Sequence, residues 1–138
     1  MKFRPTHKCY DDALDFLQAW VKENIERARR DCRDRSVMLA HGICRCSEKG
    51  TPYAHAWVEI DGQCYNGALD ESGTRVYVEF DREVFHRLFG VIEVNYYSIE
   101  RAWKENHRTG HYGPWTEEHR ALTGPPGTLV KVVQEAGA

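Results

Sequence analysis

The sequence has no long hydrophobic run. Its longest apolar stretches, such as Val37-Met38-Leu39-Ala40, are a few residues each, whereas a membrane-spanning helix needs about 20. Membrane insertion is excluded on that count. The opening Met1-Lys2-Phe3-Arg4-Pro5 has charges but no apolar core or small-residue cleavage site behind them, so it does not read as a signal peptide. The expected compartment is therefore cytoplasmic and reducing, and the five cysteines read as thiols. Charge of one sign is also missing. Nineteen Lys+Arg face twenty-one Asp+Glu, for a net charge of −2, which leaves no basic excess to grip nucleic acid. Metal-binding spacing is absent too: Cys44 and Cys46 are separated by Arg45 alone, and no second close Cys or His pair completes a zinc set. The nucleobase deaminase signature fails as well, since Trp57 follows His55-Ala56 where a Glu is required and there is no Pro-Cys-x-x-Cys. Neither metal nor cofactor is expected.

What remains, 138 residues with 41% apolar content, is one domain's worth of chain. Residues 1–122 are expected to form it, and 123–138, opening Thr123-Gly124-Pro125-Pro126-Gly127, to leave it as a flexible tail. Tyr10, Ala13, Leu14, Leu17, Trp20, Val21, Ile25 and Ala28 recur at helical spacing. They predict one amphipathic helix, with Thr6 as its N-cap and Cys9 in its first turn. The mixed-sign run 27–35 is the solvated end of that helix. Strands are expected at 37–44, 54–60, 63–68, 75–80 and 91–97, with helices at 81–89, 98–107 and 116–122. Asp61-Gly62 suits a two-residue hairpin turn. The order gives an α+β fold, an N-terminal helix carrying Cys9 packed on an antiparallel sheet.

Three features stand out from this scaffold. Cys9 opens a helix, where free amide N–H groups and the dipole favour a thiolate. His7 and Lys8 add to that effect; Asp11 and Asp12 oppose it. In the hairpin, an Asp61-Gly62 turn sets Ile60 against Gln63, Val58 against Tyr65 and Trp57 against Asn66. His55 and Asn66 then share a sheet face as diagonal neighbours, the arrangement of an imidazole base and its orienter. A turn at Asn66-Gly67 instead would carry Asn66 away, and Asp61 or Glu59 would compete as orienter. The third feature is the aromatic loop His111-Tyr112-Gly113-Pro114-Trp115, which reads either as packing or as a cleft wall.

Taken in order, Cys9-Tyr10-Asp11-Asp12-Ala13, Leu39-Ala40-His41-Gly42, His55-Ala56-Trp57-Val58-Glu59 and Gly110-His111-Tyr112-Gly113-Pro114-Trp115 resemble the motifs of small bacterial and phage-encoded proteins. These are similar to papain-like and transglutaminase-like cysteine enzymes. A looser likeness runs to the transglutaminase-like proteases that mature lasso peptide precursors. The resemblance implies Cys9 as nucleophile, His55 as base and Asn66 as orienter, with Trp57, Gln63, His111, Tyr112 and Trp115 around a protein or peptide substrate. Two departures stand out: Asn66 replaces the Asp usual in transglutaminase-like members, and no Gln or Asn precedes Cys9 as an oxyanion donor. The implied activity is cleavage or transfer at an amide bond. The competing expectation is a catalytically inactive peptide-binding accessory domain on the same fold.

Overall fold

The computed structural model describes residues 2–45 and 50–123. Cys46, loop residues 47–49 and tail residues 124–138 lie outside them. The chain is α+β, with an N-terminal helix packed on a five-stranded antiparallel sheet. Helix α1 spans Cys9–Glu23 and α2 spans Ile25–Asp31; strands follow as β1 (Val37–Cys44), β2 (Tyr53–Ile60), β3 (Gln63–Leu69) and β4 (Arg75–Asp81). Helix α3 (Arg82–Leu88) leads to β5 (Val91–Ser98), and α4 (Ile99–Thr109) and α5 (Glu117–Thr123) close the described chain. The strand order is β4-β3-β2-β1-β5. No helix among the described residues is long and apolar enough to cross a membrane.

The expected single N-terminal helix is two. At Asn24 the backbone leaves helical geometry and the side-chain amide donates to the Trp20 carbonyl at 2.9 Å, a local bond that competes with continuing the helix. Thr6 is not the N-cap; Lys8 holds that place and Cys9 is the first helical residue. Thr6 instead accepts from the Lys8 amide and donates its hydroxyl to the buried Asp12. Ser98 does cap α4, accepting from Arg101 N–H, and Gly110 ends it in the left-handed region.

Both sheet faces are covered. Leu14 and Leu17 of α1 pack with Val37, Leu39, Ala56, Val58 and Tyr97 on one face. On the other, Phe85 of α3 packs with Ala40, Trp57 and Cys64. Each fully buried large side chain contributes about 1.5–3 kcal/mol. Every residue of β2 is buried, because its alternate side chains enter the two cores in turn.

Asp61 (φ 50°) and Gly62 (φ 82°) form the β2–β3 turn, and the pairing puts Ile60 opposite Gln63 and Val58 opposite Tyr65. Pairing between the two strands stops there. Beyond Tyr65, β3 stays with β4 through Leu69 while β2 stays with β1 back to Tyr53. The side of β3 that β2 has left is taken by the N-terminal segment, where Arg4 and Leu69 exchange backbone hydrogen bonds of 2.9 and 2.8 Å. The two strands therefore splay, and the start of α1 lies against the opening. Gly67 permits that approach: a Cβ there would stand 2.7 Å from the Asp12 Cβ. Gly67→Ala is expected to cost about 1–3 kcal/mol by forcing α1 off β3, read as a lower urea midpoint; an unchanged midpoint would show that α1 is not held so tightly.

Candidate active site

Cys9, His55 and Asn66 line one pocket of about 360 Å³ at the splay. Asn66 lies inside β3, which rules out the alternative turn at Asn66-Gly67. Although Trp57 and Asn66 do not pair, His55 and Asn66 still meet: His55 Nε2 is 2.7 Å from Asn66 Oδ1. A carbonyl oxygen only accepts, so Nε2 carries the proton and Nδ1 keeps the lone pair a base needs. The His55 ring stacks on Phe89, with centroids 5.5 Å apart and planes 7° from parallel. Amide and aromatic ring together fix the imidazole.

The rival orienters are engaged elsewhere. Asp61 sits at the turn and pairs with Arg27 at 2.6 Å. Glu59 is buried and accepts from Trp57 Nε1 (2.8 Å), His86 Nε2 (3.1 Å), Tyr96 OH (3.1 Å) and Arg82 Nε (3.1 Å). Glu59, Cys64 and His86 bring three metal-ligand atoms within 4.8 Å of one another. Yet Arg82 already balances that carboxylate and three further donors satisfy it, so the cluster is complete without a cation.

Burial governs the electrostatics of the site. The amide N–H groups of Ala56, Tyr10 and Cys9 itself point at the Cys9 sulfur, which favours a thiolate, but burial outweighs them and Asp12 adds to it; the thiol is pushed up to about 12. Burial also pushes His55 below its usual value, partly offset by the Asn66 hydrogen bond and the Asp12 charge. The resting pair is thus neutral thiol and neutral imidazole, a correction to the expectation of a helix-activated thiolate. The helix terminus does supply its amides, but removal of solvent costs the anion more than they return. Alkylation of Cys9 by iodoacetamide, followed by mass spectrometry, is accordingly expected to accelerate about tenfold per pH unit from 7 to 10. A plateau near neutrality would instead reveal a preformed thiolate.

The five expected substrate contacts are not brought to this pocket. Trp57 is fully buried against Phe85, 4.8 Å between centroids. Its ring lies where a Cβ on Gly42 would be, 2.3 Å away. Gln63 sits at the turn end of β3 and donates to Asp81 at 2.8 Å. The aromatic loop packs on the α1 side of the sheet, where Trp115 is buried against His41 and Tyr97 and Tyr112 lies against the same core. His111 is held by the Gly113 amide and Arg120. Of the two readings of that loop, the packing one describes its position.

The pocket walls that sequence reasoning missed come from elements with no motif: Phe3, Arg4 and His7 of the N-terminal segment, Tyr53, Val78 and Phe80 of the strands, and Leu88 and Phe89 at the end of α3. Of these only His7 stands out in the sequence, as a support for a Cys9 thiolate and not as a pocket wall. It adopts φ 61°, an uncommon backbone state for a residue with a side chain, and its Nδ1 is buried with no hydrogen-bond partner among the described residues. The chain matches no protein-family model, no curated protein and no solved structure.

Proposed function

We propose that the chain is a cysteine-nucleophile hydrolase or acyltransferase, related in design to papain-like and transglutaminase-like enzymes and acting on an amide bond in a protein or peptide. The observation that carries this reading is the 2.7 Å His55–Asn66 bond inside the pocket that Cys9 also lines. A helix-borne thiol, an imidazole whose Nδ1 is unprotonated and an amide that fixes its tautomer are the three parts of a nucleophilic triad.

With both groups neutral at rest, the step is general-base attack. Cys9 Sγ bonds to the carbonyl carbon as His55 Nδ1 takes the thiol proton, and the Cys9 N–H, which lies against the resting sulfur, passes to the developing oxyanion. Collapse breaks the bond to the leaving amine, which departs with the proton from His55. Water or an amine then attacks the thioester, His55 takes its proton, and Cys9 leaves as a thiol with that proton returned.

The test is acyl-enzyme formation. Mixed with a p-nitrophenyl ester of an N-acetyl amino acid, the protein is expected to release one equivalent of nitrophenolate rapidly and gain one acyl mass at Cys9; Cys9→Ala is expected to do neither. No burst and no acyl mass would sink the reading. The high value of the Cys9 thiol favours one competitor, the inactive peptide-binding domain. That reading expects binding without burst, equal in the native chain and Cys9→Ala.

A further inference from the structure

Beside the bonded pair His55 and Asn66, much of the pocket lining is apolar. Ala68 and Val78 belong to β3 and β4, Phe80 to β4, Leu88 and Phe89 to the end of α3, and Phe3 to the N-terminal segment; all six line the same space as Cys9. No carboxylate is among the described lining residues. Among the described lining residues Arg4 is the one Arg or Lys, and it sends its guanidinium towards the β3–β4 turn, 3.8 Å from where a Cβ on Gly73 would be. A volume of about 360 Å³ is in the range of small-ligand sites, which are mostly apolar with a few placed polar groups. Two apolar lining residues stand at the rim, Leu88 61% and Phe3 44% exposed.

Resting on the reading of Cys9 as an acyl-accepting nucleophile, we propose that this chamber selects the acyl group, taking donors whose side chain is bulky and apolar, aromatic or branched aliphatic. The carbonyl then lies at the Cys9–His55–Asn66 end and the side chain lies against Val78, Phe80 and Phe89, with Leu88 and Phe3 closing over it. A cationic side chain would lose its water there with no carboxylate among the described lining residues to pair it, and glycine would leave the chamber empty.

The acylation rates of the native protein with p-nitrophenyl esters of N-acetyl-Phe, -Leu, -Gly and -Lys test this. Phe and Leu are expected to acylate Cys9 about 10- to 100-fold faster than Gly, the gain from burying one large apolar side chain, and Lys no faster than Gly. Val78→Trp, which fills the chamber, is expected to collapse the Phe-to-Gly ratio towards one. Equal rates for all four esters on the native chain, with a Cys9 acyl mass in each case, would overturn the chamber's role and leave the nucleophile standing. Acylation by none of them overturns the nucleophile, and the inference with it.

Discussion

His55→Ala is expected to slow acylation of Cys9 by about 10²–10⁴-fold, the usual worth of a placed general base. The size follows from the resting protonation state. A thiol held near 12 is almost wholly protonated at neutral pH, so attack depends on a base that removes the proton as the bond forms. His55 is available for that across a wide range: burial holds it below its ordinary value, so it stays neutral into mildly acidic solution. The acid limb of the acylation rate is therefore expected below pH 6.5. Asn66→Asp supplies a readout that a merely structural role would not move. A carboxylate in place of the amide, 2.7 Å from Nε2, stabilises imidazolium, raises the His55 value and shifts the acid limb to higher pH. The measurement is burst rate against pH for the three proteins, with circular dichroism confirming that each is folded. A His55→Ala burst as fast as the native one, or an Asn66→Asp profile that does not move, would refute His55 as the base.

How much of this was legible follows from what period-two patterning can carry. The Asp61-Gly62 turn fixed the register, and the register put His55 and Asn66 on one face, as the 2.7 Å bond requires. The helix that starts at Cys9 was legible from its apolar spacing. The splay of β2 from β3 was not, because it depends on Arg4 pairing with Leu69 from 65 residues away in sequence and on Gly67 admitting Asp12. Without the splay no pocket is lined both by a thiol on one side of the sheet and by an imidazole on the other. Trp57 misled for a related reason. Sharing a face with His55 places it near the site only if that face is open, but β2 is buried on both sides, and α3 covers Trp57 while leaving His55 at the pocket. His111, Tyr112 and Trp115 carry the same composition as a cleft wall and as a packed loop; only the fold sends them to the α1 side.

The buried His41 makes a second large effect, this one on stability. Its ring is enclosed by Tyr10, Tyr97 and Trp115, with centroids 4.7, 5.0 and 4.9 Å away. Its Nε2 has no hydrogen-bond partner among the described residues. Burial, reinforced by His119, lowers it from 6.5 to about 3. The folded protein thus holds His41 neutral where the unfolded chain protonates it. Below pH 6.5 the unfolded state binds the extra proton, so stability falls as pH falls, and the loss levels off only below about pH 3. At pH 4.5 the penalty is roughly 2–3 kcal/mol, at about 1.4 kcal/mol per pH unit below the unfolded value. His41→Phe keeps an aromatic ring in the aromatic cage and removes the titration. Urea unfolding at pH 7.5 and 4.5 is expected to show the native chain losing roughly 2–3 kcal/mol more than the variant over that interval. The other depressed histidines, His55, His111 and His119, are present in both chains, so the difference reports His41 together with its coupling to His119. Parallel pH dependence in the two proteins would mean that His41 takes up its proton in the folded state as readily as in the unfolded one.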